Sequence, residues 1–180
     1  MLRVVSGREM AEFDKHTIND LKVPSLVLME RAALSCVDVI TEKFGTDARI
    51  AFLCGPGNNG ADGIAIARIL KSKNYSNIIC LIIGDEAKYT AELKTQIEIA
   101  LNFGVEITGY SEEALELIAA ADLIVDAIFG IGLSRDPAGD FARAIIAANS
   151  SDAKVLAVDI PSGICARTGK GFVPHVCADE

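Results

Sequence analysis

"RIAFLCGPGNNGADGIAIARILKSK", residues 49–73, decides how the rest of the chain is read. Residues 49–55 are a short, continuous apolar run, as expected of a strand covered on both faces. Residues 61–73 carry helical spacing. Between them Gly55, Gly57 and Gly60 fit G-x-G-x-x-G, a pattern that lets a phosphate approach the main chain at a helix start. The same glycines also suit a plain strand-to-helix turn. A dinucleotide-binding turn further wants an acidic residue after the second strand, and Asp85 lies there, somewhat late. Neither reading accounts for Asn58, Asn59 and Asp62, which add amide and carboxylate oxygens to the turn.

Outward from this unit the chain alternates. Ser6 and Glu9 form a capping box for a helix with Met10, Phe13, Thr17 and Leu21 on one side. Pro24 opens a second helix whose apolar face is Leu26, Met29, Ala33, Val37 and Ile40, with Gly45 as its stop. Further strands are expected at 77–84, 105–108, 122–129 and 154–160. Helices are expected at 86–103, at 111–120 capped by Ser111, and at 138–149. Apolar strands separated by helices imply a parallel sheet covered on both sides, a three-layer α/β fold with right-handed crossovers. Ligands of such folds sit beyond the carboxyl ends of the strands, where strand order reverses.

Composition excludes several classes. The 180 residues are 51% hydrophobic and 23% charged, enough for a sizeable core. Net charge is −8 and no basic cluster exceeds "KSK" at 71–73, so a nucleic-acid partner is not expected. No apolar run reaches the roughly 20 residues of a membrane span, and "MLRVVSGREMAEF" lacks the core of a secretion signal. Five cysteines without C-x-x-C point to neither a disulfide framework nor a zinc site, and to a reducing, cytoplasmic setting.

Three strands end in unusual chemistry: the glycine turn, Asp126 followed by "AIFGIGLSRD", and Asp159 followed by "IPSGICARTG". In a parallel sheet these ends share one edge. A carboxylate directly after an apolar strand is partly desolvated, which suits proton transfer near neutral pH. Either aspartate alone reads equally as a turn cap. Oxygen donors without His or Cys favour a hard cation over zinc. Asp122 starts its strand at the opposite edge and reads as structural. His16 and His175 have no partner pattern, and Ser162 lacks the G-x-S-x-G elbow of a nucleophile. Glu30 either braces a neighbour or is solvated.

"GPGNNGADG…AR.L", "DAIFGIGL.R" and "AVDIPSG…TG", in this order and spacing, resemble the YjeF N-terminal domain family, the NAD(P)H-hydrate epimerases. Asp14 and "LMERAA" at 28–33 resemble that family's N-terminal helices, so the likeness covers nearly all of residues 1–180. The resemblance implies a Rossmann-like three-layer α/β/α sandwich with a mostly parallel sheet, preceded by two N-terminal helices. It implies repair of damaged nicotinamide cofactor. Hydrated NADH or NADPH carries an added hydroxyl on the nicotinamide ring, as R and S epimers, and the family interconverts them. A fused or separate ADP- or ATP-dependent dehydratase then restores the cofactor.

Carried onto this chain, the resemblance implies a substrate-binding turn of Asn58, Asn59, Gly60, Ala61 and Asp62. It implies a phosphate-gripping loop of Gly130, Ile131, Gly132, Leu133, Ser134, Arg135 and Asp136. It implies one potassium ion per subunit held by Asn59, Asp126 and Ser162, and Asp159 as the substrate-contacting acid/base. Hydrated NAD(P)H is then substrate rather than cofactor. Two departures stand out. Ala61 occupies a position where the family usually has Gly; its methyl is either harmless at a helix start or crowds the substrate. The chain stops at "VCADE" where members continue into a further strand, which suggests a truncated domain or the front of a longer protein, with an open sheet edge that a homodimer could cover. A non-catalytic nucleotide-binding or scaffold module of the same fold is the alternative.

Overall fold

The computed structural model describes residues 5–180. Helices α1 (Gly7–Asn19) and α2 (Ser25–Lys43) precede the sheet. The chain then runs β1 (Ile50–Cys54), α3 (Asn58–Ser72), β2 (Ile78–Ile82), α4 (Ala91–Asn102), β3 (Glu106–Gly109), α5 (Ala114–Ala119), β4 (Leu123–Ala127), α6 (Asp140–Ser150) and β5 (Lys154–Ala157). All pairings within the sheet are parallel, in the order β3-β2-β1-β4-β5. Strand order reverses between β1 and β4, so the crevice expected to take a ligand opens at their carboxyl ends.

The continuous apolar runs are explained by burial on both faces. Phe52, Cys54 and Cys80 point into a layer with Met29, Ala33, Val37 and Ile40 of α2 and the inner face of α3. Leu53, Leu81 and Ile83 point the other way, onto Ile118 of α5 and Ala144, Ile145 and Ala148 of α6. The three-layer Rossmann-like sandwich is therefore the fold.

Local chemistry moves several boundaries. α3 starts at Asn58, so Asn58, Asn59 and Gly60 form its first turn rather than a loop. The expected helix 86–103 is broken: Asp85 accepts a hydrogen bond from Ala87 N and closes a short turn at Glu86–Lys88, and Thr90 then caps α4. Ser111 donates to Glu113 instead of capping a helix, and α5 begins three residues later. α2 ends because Phe44 turns extended (φ −126°, ψ 134°), without a left-handed Gly45. The capping box of α1 forms as expected, yet none of its residues is buried; Met10 and Phe13 stand 48% and 55% exposed, and Leu21, expected on the same helix, lies beyond its end at Asn19 and is 62% exposed.

The outer edge of β5 meets the chain's last residues. Ala157 N donates to Glu180 O, Asp179 N to Val155 O, and Val155 N to the Asp179 carboxylate. Lys154 pairs with Asp179, and Lys43 with Glu180. A cavity of about 460 Å³ lined by Val39, Ile40, Phe44, Val155 and Leu156 lies beside this edge, away from the switch-point crevice.

The glycines of the turn divide by what they touch. A Cβ on Gly55 would strike the Ile128 carbonyl, and one on Gly60 would strike the Gly55 carbonyl. These two glycines let β1, the start of α3 and the end of β4 close on one another. A Cβ on Gly57 meets nothing within 4 Å. Gly60→Ala is expected to lower stability by about 1–3 kcal/mol, as overpacking against rigid backbone does. Gly57→Ser, which puts a favoured residue at the N-cap of α3, is expected to be neutral or to add about 0.5 kcal/mol. Urea midpoints of the two variants check both statements.

Candidate active site at the switch-point crevice

Asp126 is the fourth residue of β4 and is fully buried. Its Oδ2 accepts from Ser162 N at 2.7 Å; its Oδ1 accepts from Ser162 Oγ at 2.6 Å and from Ile128 N at 3.2 Å. Ser162 Oγ accepts in turn from Phe129 N at 2.9 Å. Burial raises the Asp126 pKa to about 6 although all three donors favour its charge. The Ser162 hydroxyl is committed to this buried network, donating to Asp126 and accepting from Phe129 N, so it is a structural tie rather than a free nucleophile.

Asp159 follows β5 by two residues and has a left-handed backbone, φ 69°. Asp and Asn tolerate that region better than other residues with a side chain. The conformation turns its carboxylate to the β4 loop, where Oδ2 accepts from Ile131 N at 3.2 Å. A Cβ on Gly130 would lie 2.7 Å from Asp159 Oδ2 and 3.8 Å from Asn59 Cβ. Gly130 is thus the point where the loops after β1, β4 and β5 meet. Burial raises the Asp159 pKa, the Ile131 bond lowers it, and the charge of Asp14 on α1 raises it.

Asp62 stands one helical turn beyond Asn59, on the same face of α3. Its carboxyl is pushed up to about 7, first by burial and then by the charge of Asp159. Among the described residues no hydrogen-bond donor or cation holds it. Across the crevice the Cys36 thiol is pushed up by burial and by Asp62. The start of α3 has no side-chain cap and no acidic residue in its first turn, so its free N–H groups are available to an anion.

The remaining sequence candidates fall into place. Asn58 is exposed, whereas Asn59 Nδ2 is buried without a partner among the described residues. Ala61 is fully buried in the core, so its methyl points away from the open crevice and the crowding concern falls away. Most of the loop 130–136 is exposed. Arg135 is its cation, and Asp136 Oδ1 accepts from Val173 N at 3.1 Å. His16 binds Asp20, and His175 Nδ1 binds Phe172 O; neither reaches the crevice carboxylates. Glu30 pairs with Arg68, which settles it as a brace between α2 and α3. Asp122 is clamped by Arg49, which holds its carboxyl down to about 2, at the far edge of the sheet. Asp14 near Asp159 was visible only as part of a family likeness, because an exposed helical Asp carries no local signal. The Phe129 main chain beside Ser162 left no mark in the sequence at all.

The family model for the YjeF-related protein N-terminus matches residues 25–180. This chain belongs to that family. Its whole length is 41% identical to 81% of a Levilactobacillus brevis protein named NAD(P)H-hydrate epimerase. A protein of the same name from Limosilactobacillus reuteri is 43% identical over 93% of this chain and 77% of its own length. The crystal structure of yeast ynu0 superposes with a TM-score of 0.88 at 26% identity, covering 98% of this chain and 78% of that one.

The Asp62 pKa lies above the ordinary value of 3.8, so the folded state keeps a proton that the unfolded chain releases. Stability contributed by that proton is present below about pH 4 and is lost as pH rises to about 7. Asp62→Asn removes the loss. Its melting temperature at pH 8 is expected to exceed that of the parent, and its decline between pH 4 and pH 7 to be shallower. Thermal melts across this range check the sign.

Proposed function

We propose that this chain is an NAD(P)H-hydrate epimerase that interconverts the R and S forms of the hydrated cofactor. The carrying observation is the pair of partly desolvated carboxyls, Asp62 and Asp159, at the switch-point crevice. Loss and return of a ring hydroxyl needs a proton donor and acceptor near neutral pH, and a surrounding that tolerates a cationic ring. Carboxyls without a cation beside them meet both needs. A hydride-transferring dehydrogenase is less well supported, because Asp85 is committed to the Ala87 turn and two glycines serve chain contacts.

In this reading Asp159 is the acid/base at the ring. Asn58, Asn59, Gly60, Ala61 and Asp62 form the turn under the substrate, with α3's N–H groups and the loop Gly130–Asp136 taking the phosphates. A potassium ion would be held by Asn59, Asp126 and Ser162. The donor set fits a hard cation: the three side chains offer oxygens, and among the described residues the buried Asp126 carboxylate has no cation beside it. Bound there, the ion supplies a fixed positive charge that keeps Asp126 ionised. We further infer a cytoplasmic homodimer, with exposed Met10 and Phe13 of α1 and Leu21 just beyond it as the surface most in need of cover. A dehydratase, fused or separate, consumes the product.

Asp159→Asn keeps the left-handed backbone while removing the proton carrier. Interconversion of the two hydrates is expected to fall by about 100-fold or more, with the melting temperature nearly unchanged. Unchanged turnover would remove Asp159 from the mechanism. Hydrate binding without any turnover in the parent chain would favour the scaffold reading. Replacing potassium by choline is expected to slow the parent and to leave Asp126→Asn, already slow, unaffected.

A further inference from the structure

The two hydrate epimers carry the hydroxyl on opposite faces of the ring. A single carboxyl can reach only the hydroxyl on its own side. Interconversion by loss and return of that hydroxyl therefore calls for a proton donor and acceptor on each face.

The crevice offers four groups besides Asn59. Asp159 occupies the wall formed by the loop after β5. Asp14 on α1 is exposed and solvated. The Cys36 thiol on α2 is half-buried and pushed up, which makes it a poor donor. Asp62 occupies the wall formed by α3, with no hydrogen-bond donor or cation among the described residues to fix its charge. Asp62 is half-buried one turn beyond Asn59, and a partly buried carboxyl left without partners lowers stability. Resting on the epimerase reading, we propose that Asp62 is a second catalytic carboxyl, so that Asp62 serves one face of the ring and Asp159 the other.

The proton balance closes. Asp62, as the acid, gives its proton to the hydroxyl on its side. The carbon–oxygen bond breaks, and its electron pair leaves with water. The ring nitrogen lone pair stabilises the resulting cation, which lies between two carboxylates. Water adds from the opposite side and gives its proton to Asp159. The other epimer runs the same steps in reverse, and proton transfer between the carboxyls through water resets the site. The groups facing Asp62 are Asp159 and Cys36, and those facing Asp159 are Asp62 and Asp14. None is a cation, and two neighbouring carboxyls do not both ionise readily.

The test follows the hydroxyl oxygen. Purified R and S hydrates are incubated in ¹⁸O-water with the parent chain, Asp62→Asn and Asp159→Asn, and label and configuration are read by chromatography and mass spectrometry. The parent is expected to label and interconvert both. Asp62→Asn is expected to interconvert about 100-fold more slowly or worse while still labelling one epimer, and Asp159→Asn to label only the other. Interconversion by Asp62→Asn within about threefold of the parent, or loss of label from both epimers alike, overturns the two-carboxyl assignment while leaving the epimerase reading intact. Failure of the parent to interconvert overturns that reading itself. Asp62→Ser is read in the same way if the Asn variant melts below the parent.

Discussion

The buried tie between Asp126 and Ser162 is the constraint on which the site depends. β4 and β5 are adjacent parallel strands, but parallel pairing alone says nothing about the loops that follow them. Asp126 takes both the main-chain N–H and the hydroxyl of Ser162, and Ser162 holds Phe129 N. The turn after β4 and the turn after β5 are thereby locked together. Gly130 and Asp159 come face to face as a result, and the glycine turn after β1 closes from the other side. A neutral isostere at Asp126 would have to serve an N–H and an O–H at once, while burial removes water as a substitute.

Much of this was legible in the sequence, and the residues show why. The central strands were readable because parallel strands are apolar on both faces and these runs are short and bounded by turn residues. The three strand ends were readable as one site because a parallel sheet places them on one edge. What escaped was set by local competition or by tertiary contact. Asp85 preferred the amide of Ala87 to continuing a helix, and Ser111 preferred a neighbouring carboxylate to a cap. The apolar spacing of α1 was real, but spacing cannot tell whether a face meets the core or stands open. The glycines were read through ligands, yet Gly55 and Gly60 are required by other parts of the chain. Ala61 needed the helix start in place before its methyl could be assigned to the core.

The energetic character of the crevice differs from that of the rest of the molecule. Elsewhere several acids are matched: Asp122 with Arg49, Glu30 with Arg68, Asp179 with Lys154. At the crevice Asp62 and Asp159 repel each other, Asp126 has no counter-ion among the described residues, and Asp159 adopts a backbone conformation costly to a residue with a Cβ. These penalties sit on top of a well-filled core on each face of the sheet, which can absorb them. Several such penalties gathered in one crevice are the signature of a region shaped by chemistry rather than by folding.

The left-handed backbone at Asp159 also bears on how this fold can change over generations. Asparagine is the neutral residue best suited to that conformation, and it differs from aspartate by one atom of the side chain. A lineage in which Asp159→Asn became fixed would, on the proposed mechanism, lose the proton carrier and keep the architecture, the glycine turn and the open start of α3. The most accessible inactivating change is therefore one that leaves a sound binding domain behind. Non-catalytic descendants of such an enzyme would be expected to survive as recognition modules and to carry their history in a single amide.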